Sequence, residues 1–234
     1  MINAVLHSKV EEAIRNLDID EMIDIPTHEI SSALNYAQLR LFEEYYQKFE
    51  KNETARKCLN NFVKPYTTTT LFVNNYYKNN LYNAYDINLP QDCARVLEEH
   101  CTLSIDEYGR YTSNESLMIE TIVKPIRLDT FRFNLHNPWK KPYNNLLWRV
   151  DVGDGNSVHV LICKNNININ RYTMSYLRLP SEINIENDPN GSNLFGEDFQ
   201  LILVTYCVDR LLEVYQNNIN LKKLSGNIQT QSDK

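Results

Sequence analysis

The sequence predicts an α+β chain: helices from both termini packed together as a bundle, and between them a strand-rich middle, an antiparallel sheet with long loops. Three observations carry this. Apolar residues recur at helical spacing at both ends of the chain. Between them lie runs rich in β-branched and aromatic residues, broken by turn signals. The clearest turn, Gly153-Asp154-Gly155-Asn156, separates two apolar runs as a hairpin does. On this reading residues 1–221 form a single domain, with 1–66 and 194–221 helical and 67–193 a strand-rich insertion. Residues 222–234 are polar and read as a flexible tail.

Each element follows from its residues. Ile2, Val5, Leu6, Val10, Ile14 and Leu17 make residues 1–17 an amphipathic helix, followed by an acidic turn at Asp18–Met22. Pro26-Thr27 signals the next start, with Thr27 as cap and Glu29 in the first turn. The stripe Ile30, Leu34, Ala37, Leu41, Tyr45, Phe49 predicts a helix over about 28–51. A short helix over about 53–62 ends before Pro65. Thr67–Val73 favours a strand. Asn74–Asn88 reads as a loop, and Leu89-Pro90-Gln91-Asp92 leads into a strand or short helix at 93–100. Strands are expected at 117–123, at 130–135 with Phe131, Phe133 and Leu135 on one face, at 146–152 and 157–163, and at 170–179 before Pro180. Asp188-Pro189-Asn190-Gly191 is a turn. A last helix over about 195–217 carries few charges and so is buried on most sides.

Composition bounds the function. The chain has 234 residues, 42% of them hydrophobic, enough for a sizeable core. Phe199–Cys207, the most apolar run, is far shorter than the ~20 residues of a membrane span. The opening Met1–His7, followed by Glu11 and Glu12, is neither a secretory signal nor a transit peptide. A protein kept or assembled in a cytosol is expected. The cysteines number five, at positions 58, 93, 101, 163 and 207, with no paired spacing, so reduced thiols are expected. A net charge of −6 argues against sequence-independent nucleic-acid binding, which needs a basic surface. Asparagine is abundant and tyrosine numbers 15, a bias that AT-rich codons explain and that also suits wide, wet protein contacts.

Chemical motifs are lacking. Six glycines leave no phosphate loop, and there is no G-x-S-x-G or H-E-x-x-H. His100-Cys101 with Cys93 lacks the ligand number of a zinc site and reads as packing. Asp151–Asn156 lacks the alternating ligands of a calcium loop and reads as a turn. Glu43-Glu44 and Glu98-Glu99 are neighbours in sequence and read as solvated faces. No catalytic, cofactor-binding or metal-binding residue is assigned, and no cofactor. Trp139-Lys140-Lys141-Pro142-Tyr143 mixes basic and aromatic residues; docking to another subunit outweighs stacking on bases. The candidate interface is Tyr76, Tyr77, Tyr82, Tyr85, Trp139 and Tyr143. Residues 74–88, 136–145 and 222–234 hold few aliphatic residues, so they are expected to order against neighbouring subunits.

The order of these elements resembles the head–tail adaptor or neck ring proteins of tailed bacteriophages, and among these the ring proteins of crAss-like phages. The resemblance rests on the linker Ile19–Thr27, Leu34-Asn35-Tyr36-Ala37-Gln38 in the second helix, Leu89-Pro90-Gln91-Asp92 before the strands, and Leu179-Pro180-Ser181-Glu182 before the final helix. It covers most of the chain; Asn74–Asn88 departs from it. It implies a non-enzymatic structural virion protein assembled in the host cytoplasm. Such a protein forms a homo-oligomeric ring, of twelve copies by the symmetry of portals, that joins portal to tail. DNA passes through the ring without sequence-specific binding, and no membrane is involved. A soluble partner-binding regulator, or an enzyme of unrecognised family, remains the alternative.

Overall fold

A computed structural model describes residues 2–16, 25–105, 117–137, 139–143, 146–153, 158–165, 167–191 and 193–232, with side chains described up to 215 except at 105 and 117. In chain order the elements begin with α1 (Asn3–Arg15), α2 (Thr27–Lys48), α3 (Glu53–Leu59), β1 (Val63–Thr68), β2 (Phe72–Val73), β3 (Tyr82–Asn88) and β4 (Cys93–Ile105). They continue with β5 (Leu117–Pro125), α4 (Phe131–His136), β6 (Leu146–Val152), β7 (Val158–Lys164), β8 (Ile169–Arg178) and α5 (Glu197–Ser232). The chain divides into two compact units, a helical one (1–62 and 180–234) and a strand unit (63–179).

In the helical unit, most of each expected stripe turns inward, while Ile2 and Val5 stay exposed. Leu6, Val10 and Ile14 of α1 and Ile30, Leu34, Ala37 and Leu41 of α2 are buried. α5 runs antiparallel to α2: the Tyr206 hydroxyl donates to Glu44 (2.6 Å) near the end of α2, and Tyr215 donates to Glu29 (3.1 Å) near its start. Between these bonds, Arg40 sits 4.6 Å over the Tyr206 ring and Arg210 sits 4.7 Å over Tyr36. Phe62 is wedged between Phe42 (5.6 Å) and Phe195 (4.8 Å). Two termini differ from expectation. Thr27 is not a cap; Pro26 holds that position with no side-chain bond, its fixed φ already suited to a helix start. α5 continues past Asn217 to Ser232, with no proline in its length to stop it and Gly226 carried within the helix. The expected frayed tail over 222–234 is therefore helical as far as Ser232. Most of the linker, residues 17–24, lies outside the described residues, as do 154–157 of the hairpin turn.

The strand unit is one eight-stranded sheet in the order β1-β8-β4-β5-β6-β7-β3-β2. Its terminal strands are joined by residues 69–71 alone, and the Tyr66 hydroxyl on β1 donates to the Asn88 carbonyl on β3 (3.1 Å), so the sheet curls. Pro65 is tolerated because β1 is an end strand, paired only with β8. β7 is buried on both faces. Val160 and Ile162 pack with Trp148, Val150, Ala84 and Phe131, while Leu161 and Cys163 pack with Leu147, Ile87, Tyr172 and Met174.

Three expectations are corrected here. The sheet is not wholly antiparallel: β5 and β6 pair in parallel, Ile122 opposite Leu146 through Pro125 opposite Arg149. The segment 126–145 between them is long enough for the crossover that a parallel pair needs. Within that segment, 130–135 is not a strand. Leu128–Thr130 is a 3-10 turn and Phe131–His136 is α4, with Phe131 buried and Phe133 turned out to solvent. Asn74–Asn88 is a loop only in its first half, residues 74–81. Tyr82–Asn88 is β3, burying Tyr82, Ala84 and Ile87 and pairing with β7 along its length.

Candidate interaction surfaces

Asparagine builds the turn that precedes β3. Asn74 Oδ1 accepts from the Tyr76 and Tyr77 amides (2.9 and 3.1 Å), and its Nδ2 donates to Asp86 (2.7 Å). Asn79 Oδ1 accepts from the Leu81 and Tyr82 amides (2.8 and 2.9 Å), and Asn165 Nδ2 donates to the Asn79 and Asn80 carbonyls. These local bonds substitute for backbone partners where the chain reverses. Codon usage alone therefore does not explain these asparagines.

The turn presents an aromatic series that begins in the core and ends in water. Trp148 is fully buried, with Phe131 6.1 Å from it, Tyr77 5.3 Å from Phe131, and Tyr76 4.9 Å from Tyr77, each pair edge to face. Beyond it Tyr76 is 76% exposed, Phe133 71% and Trp139 87%. Leu81 and Leu128 are exposed as well. Asn137 fixes the segment carrying Trp139: its side chain accepts from the Trp139 amide (3.0 Å) and its carbonyl from those of Lys140 and Lys141 (3.1 and 3.2 Å). Lys78, Arg132 and Lys140 are exposed around these rings. Of the six candidate interface residues, Tyr76, Trp139 and Tyr143 are exposed, Tyr77 and Tyr85 are half-buried, and Tyr82 is corrected to a core residue at 7% exposure. Alternation placed Tyr82 inward beside Phe131 and Trp148. Phe133, missed as a candidate, was hidden by the strand reading of 130–135.

A second surface lies in the helical unit. Asn35 pairs with one residue of backbone as a strand would: Nδ2 donates to the Ile183 carbonyl (2.9 Å) and Oδ1 accepts from the Ile183 amide (2.8 Å). Three residues on, Gln38 Nε2 donates to the Ser181 carbonyl (2.8 Å) and to Asn35 Oδ1 (2.9 Å). Two of the four stretches that carry the resemblance, 34–38 and 179–182, are thus a clasp and part of the strap it holds. Beside the clasp is a groove of about 460 Å³, lined in part by Ser31, Leu39, Pro180 and Ile183 and edged by Glu182 and Glu186.

Within the strand unit, Glu98-Glu99 is corrected from a solvated pair. Glu98 is exposed, but the Glu99 side chain is only 6% exposed. It accepts from Arg149 Nη1 (2.6 Å) and the Tyr172 hydroxyl (2.9 Å). Arg149 also reaches Asp151, with Nη2 3.3 Å from Oδ2 and Nε in a 2.8 Å ion contact that lacks hydrogen-bond alignment. His159 joins the network through both ring nitrogens, with Nδ1 3.1 Å from the Tyr172 oxygen and Nε2 3.4 Å from Asp151 Oδ1. Burial pushes the Glu99 carboxyl above its ordinary range, against the opposing pull of Arg149 and Tyr172. Burial, reinforced by Arg149, lowers the His159 imidazole to about 3. Burial outweighs everything at Tyr172, whose hydroxyl stays protonated. The ion contacts give the network a structural reading: the buried Arg149 is matched by Glu99 and Asp151 as the sheet closes over it.

The five cysteines are unpaired, and burial pushes the Cys58, Cys163 and Cys207 thiols up to about 12 and Cys93 to about 11, which makes them poor nucleophiles. Among the described residues no group of three His, Cys, Asp or Glu could hold a metal ion, and no helix is long and apolar enough to cross a membrane. His100 and Cys101 serve in β4 as strand residues, Cys101 fully buried.

A family model described as phage tail ring protein 3/4 matches residues 10–227. Ring protein 3 of Bacteroides phage crAss001 is 24% identical over 204 residues, covering 84% of this chain and 84% of that protein.

Proposed function

The chain belongs to the phage tail ring protein 3/4 family, and on that premise we propose that copies of it close into a ring in the neck or tail of a virion, joining portal to tail and surrounding the DNA channel. Its role is structural rather than enzymatic. Twelve copies would match a portal ring, and assembly takes place in the host cytoplasm. The observation that carries this reading is the exposed aromatic set: Tyr76, Phe133 and Trp139 are left in water, together with Leu81 and Ile122 of the same unit. Exposed apolar patches of this kind, rimmed by charge, mark protein contacts. Charge is distributed unevenly in support. The helical unit holds 11 Lys and Arg against 19 Asp and Glu, and the strand unit 13 against 11. Acidic surface facing a channel would keep DNA phosphates from adhering.

The test is native mass spectrometry of the purified chain, together with peptide mass spectrometry of intact particles. A closed oligomer, and a copy number per particle that is a multiple of the ring size, are expected. A chain that stays monomeric at all concentrations and is missing from particles would return the protein to the regulator or enzyme alternatives.

A further inference from the structure

The groove beside the clasp has a feature its own unit does not account for. Ser31 is 9% exposed, lines the groove, and its Oγ has no hydrogen-bond partner among the described residues. A buried hydroxyl without a partner costs about 1–3 kcal/mol, so it is conspicuous next to Asn35 and Gln38, whose amides are engaged. Leu39 offers an exposed apolar wall, Pro180 and Ile183 line the groove further, and Glu182 and Glu186 at its edge are exposed with no ion pair among the described residues.

The strand unit presents the complement. Trp139 is the most exposed of the large hydrophobic residues described, held on the Asn137 turn rather than on a free loop, and followed by exposed Lys140. Indole is an apolar plate with a single N–H donor, which matches an apolar wall and one unpartnered hydroxyl. A ring presented on a fixed turn loses little entropy on docking.

Resting on the ring reading above, we infer that Trp139 of one copy seats in the Ser31–Leu39–Ile183 groove of a second copy, its Nε1–H donating to Ser31 Oγ, with Lys140 facing Glu182 and Glu186. The occupant is a second copy because the Trp139 segment and the groove, both carried by this chain, are complementary in charge and in hydrogen-bonding groups. A contact between unlike surfaces is head to tail, and repetition of it closes a ring when the rotation allows.

Disulfide trapping tests this. Chains carrying Trp139→Cys are mixed with chains carrying Leu39→Cys under mild oxidant, with wild type as the control for native thiols. Cross-linked dimers should form in the mixture and not from either variant alone. Trp139→Ala should weaken self-association about tenfold or more, as loss of a central aromatic anchor does. Lys140→Glu should weaken it as well, and the double variant Glu182→Lys/Glu186→Lys should restore pairing with Lys140→Glu chains. Cross-linking of Trp139→Cys chains to themselves would show a symmetric contact and overturn the proposal. So would unaltered self-association of Trp139→Ala with native circular dichroism. If Trp139→Ala chains still enter rings in particles, this contact is refuted while the ring reading stands. If wild-type chains neither self-associate nor enter particles, both fall.

Discussion

Two places in the strand unit treat their hardest side chains in opposite ways. Around Arg149, charges are buried and each is answered from within the chain, by Glu99, Asp151, Tyr172 and His159. At the aromatic rim, apolar rings are left in water although a core lies one ring away: Phe131 is buried and Phe133 is not. The first arrangement is expensive and self-contained. The second is inexpensive for the isolated chain and, on the proposed ring reading, would be covered by a partner. A subunit that must stay folded alone and then associate gains from keeping the two apart, because association then alters nothing the fold depends on.

Arg149→Ala should be among the most damaging substitutions. It leaves Glu99 buried with only the Tyr172 hydroxyl for a partner, and removing one member of a buried pair costs about 3–5 kcal/mol. Urea unfolding checks this, and hydrogen exchange at β4, β6 and β8 should report the loss. A value under about 1 kcal/mol would mean that the network is wetter than its burial implies.

Acid should act on the same network through His159. Its unfolded state takes up a proton near pH 6.5 and its folded state only at about 3. Between those values the unfolded chain binds more protons, so stability falls as pH falls, at up to ~1.4 kcal/mol per unit. Glu99, raised by burial, works the other way as pH approaches the carboxylate range, since the folded state then binds the extra proton. The window from pH 7 to 5 therefore shows His159 most cleanly. His159→Gln should flatten the urea midpoint across that window. An unchanged slope in the variant would assign the acid sensitivity elsewhere.

An intermediate effect is expected in the helical unit. Asn35→Ala removes both bonds to Ile183 and leaves buried backbone unpaired, a loss of about 1–3 kcal/mol. Asn35→Asp keeps the acceptor and loses the donor, so thermal unfolding should place it between alanine and wild type. Equal stability of all three would show that the strap is held by packing alone.

What could be foreseen from sequence divides along the same line. The α2 stripe was legible because helical period and burial coincide from Ile30 to Leu41. The pairing of β6 with β7 was legible because apolar runs flank Gly153, whose φ of 85° suits glycine. Phe131, Phe133 and Leu135 misled because spacing by two describes a strand face, whereas the parallel β5–β6 pair nearby required a crossover that no local pattern announces. Asn74–Asn88 misleads because a stretch rich in asparagine and poor in aliphatic residues implies weak local structure, whereas here the Asn74 and Asn79 side chains make the turn bonds. Glu99 could not have been found locally, since Arg149 is 50 residues away. Of the candidate interface, Trp139 and Tyr76 stood out by chemistry, while Tyr82 was placed inside by an alternation that only pairing with β7 reveals.

The smallest stability effect should come from the rim, and it is the sharpest test of the comparison. Phe131 and Phe133 are two positions apart on α4, the same residue type in the same six-residue helix. Phe131→Ala opens a cavity against Trp148 and Tyr77 and should cost about 3–5 kcal/mol. Phe133→Ser removes an exposed ring and should move the unfolding midpoint by no more than about 0.5 kcal/mol equivalent. Self-association should rank the other way: measured by analytical ultracentrifugation on chains with native circular dichroism, Phe133→Ser should dissociate more readily than wild type. If it folds normally and assembles normally, the rim is ordinary surface, and the division between a self-sufficient interior and an unfinished edge fails at the residue where it is easiest to see.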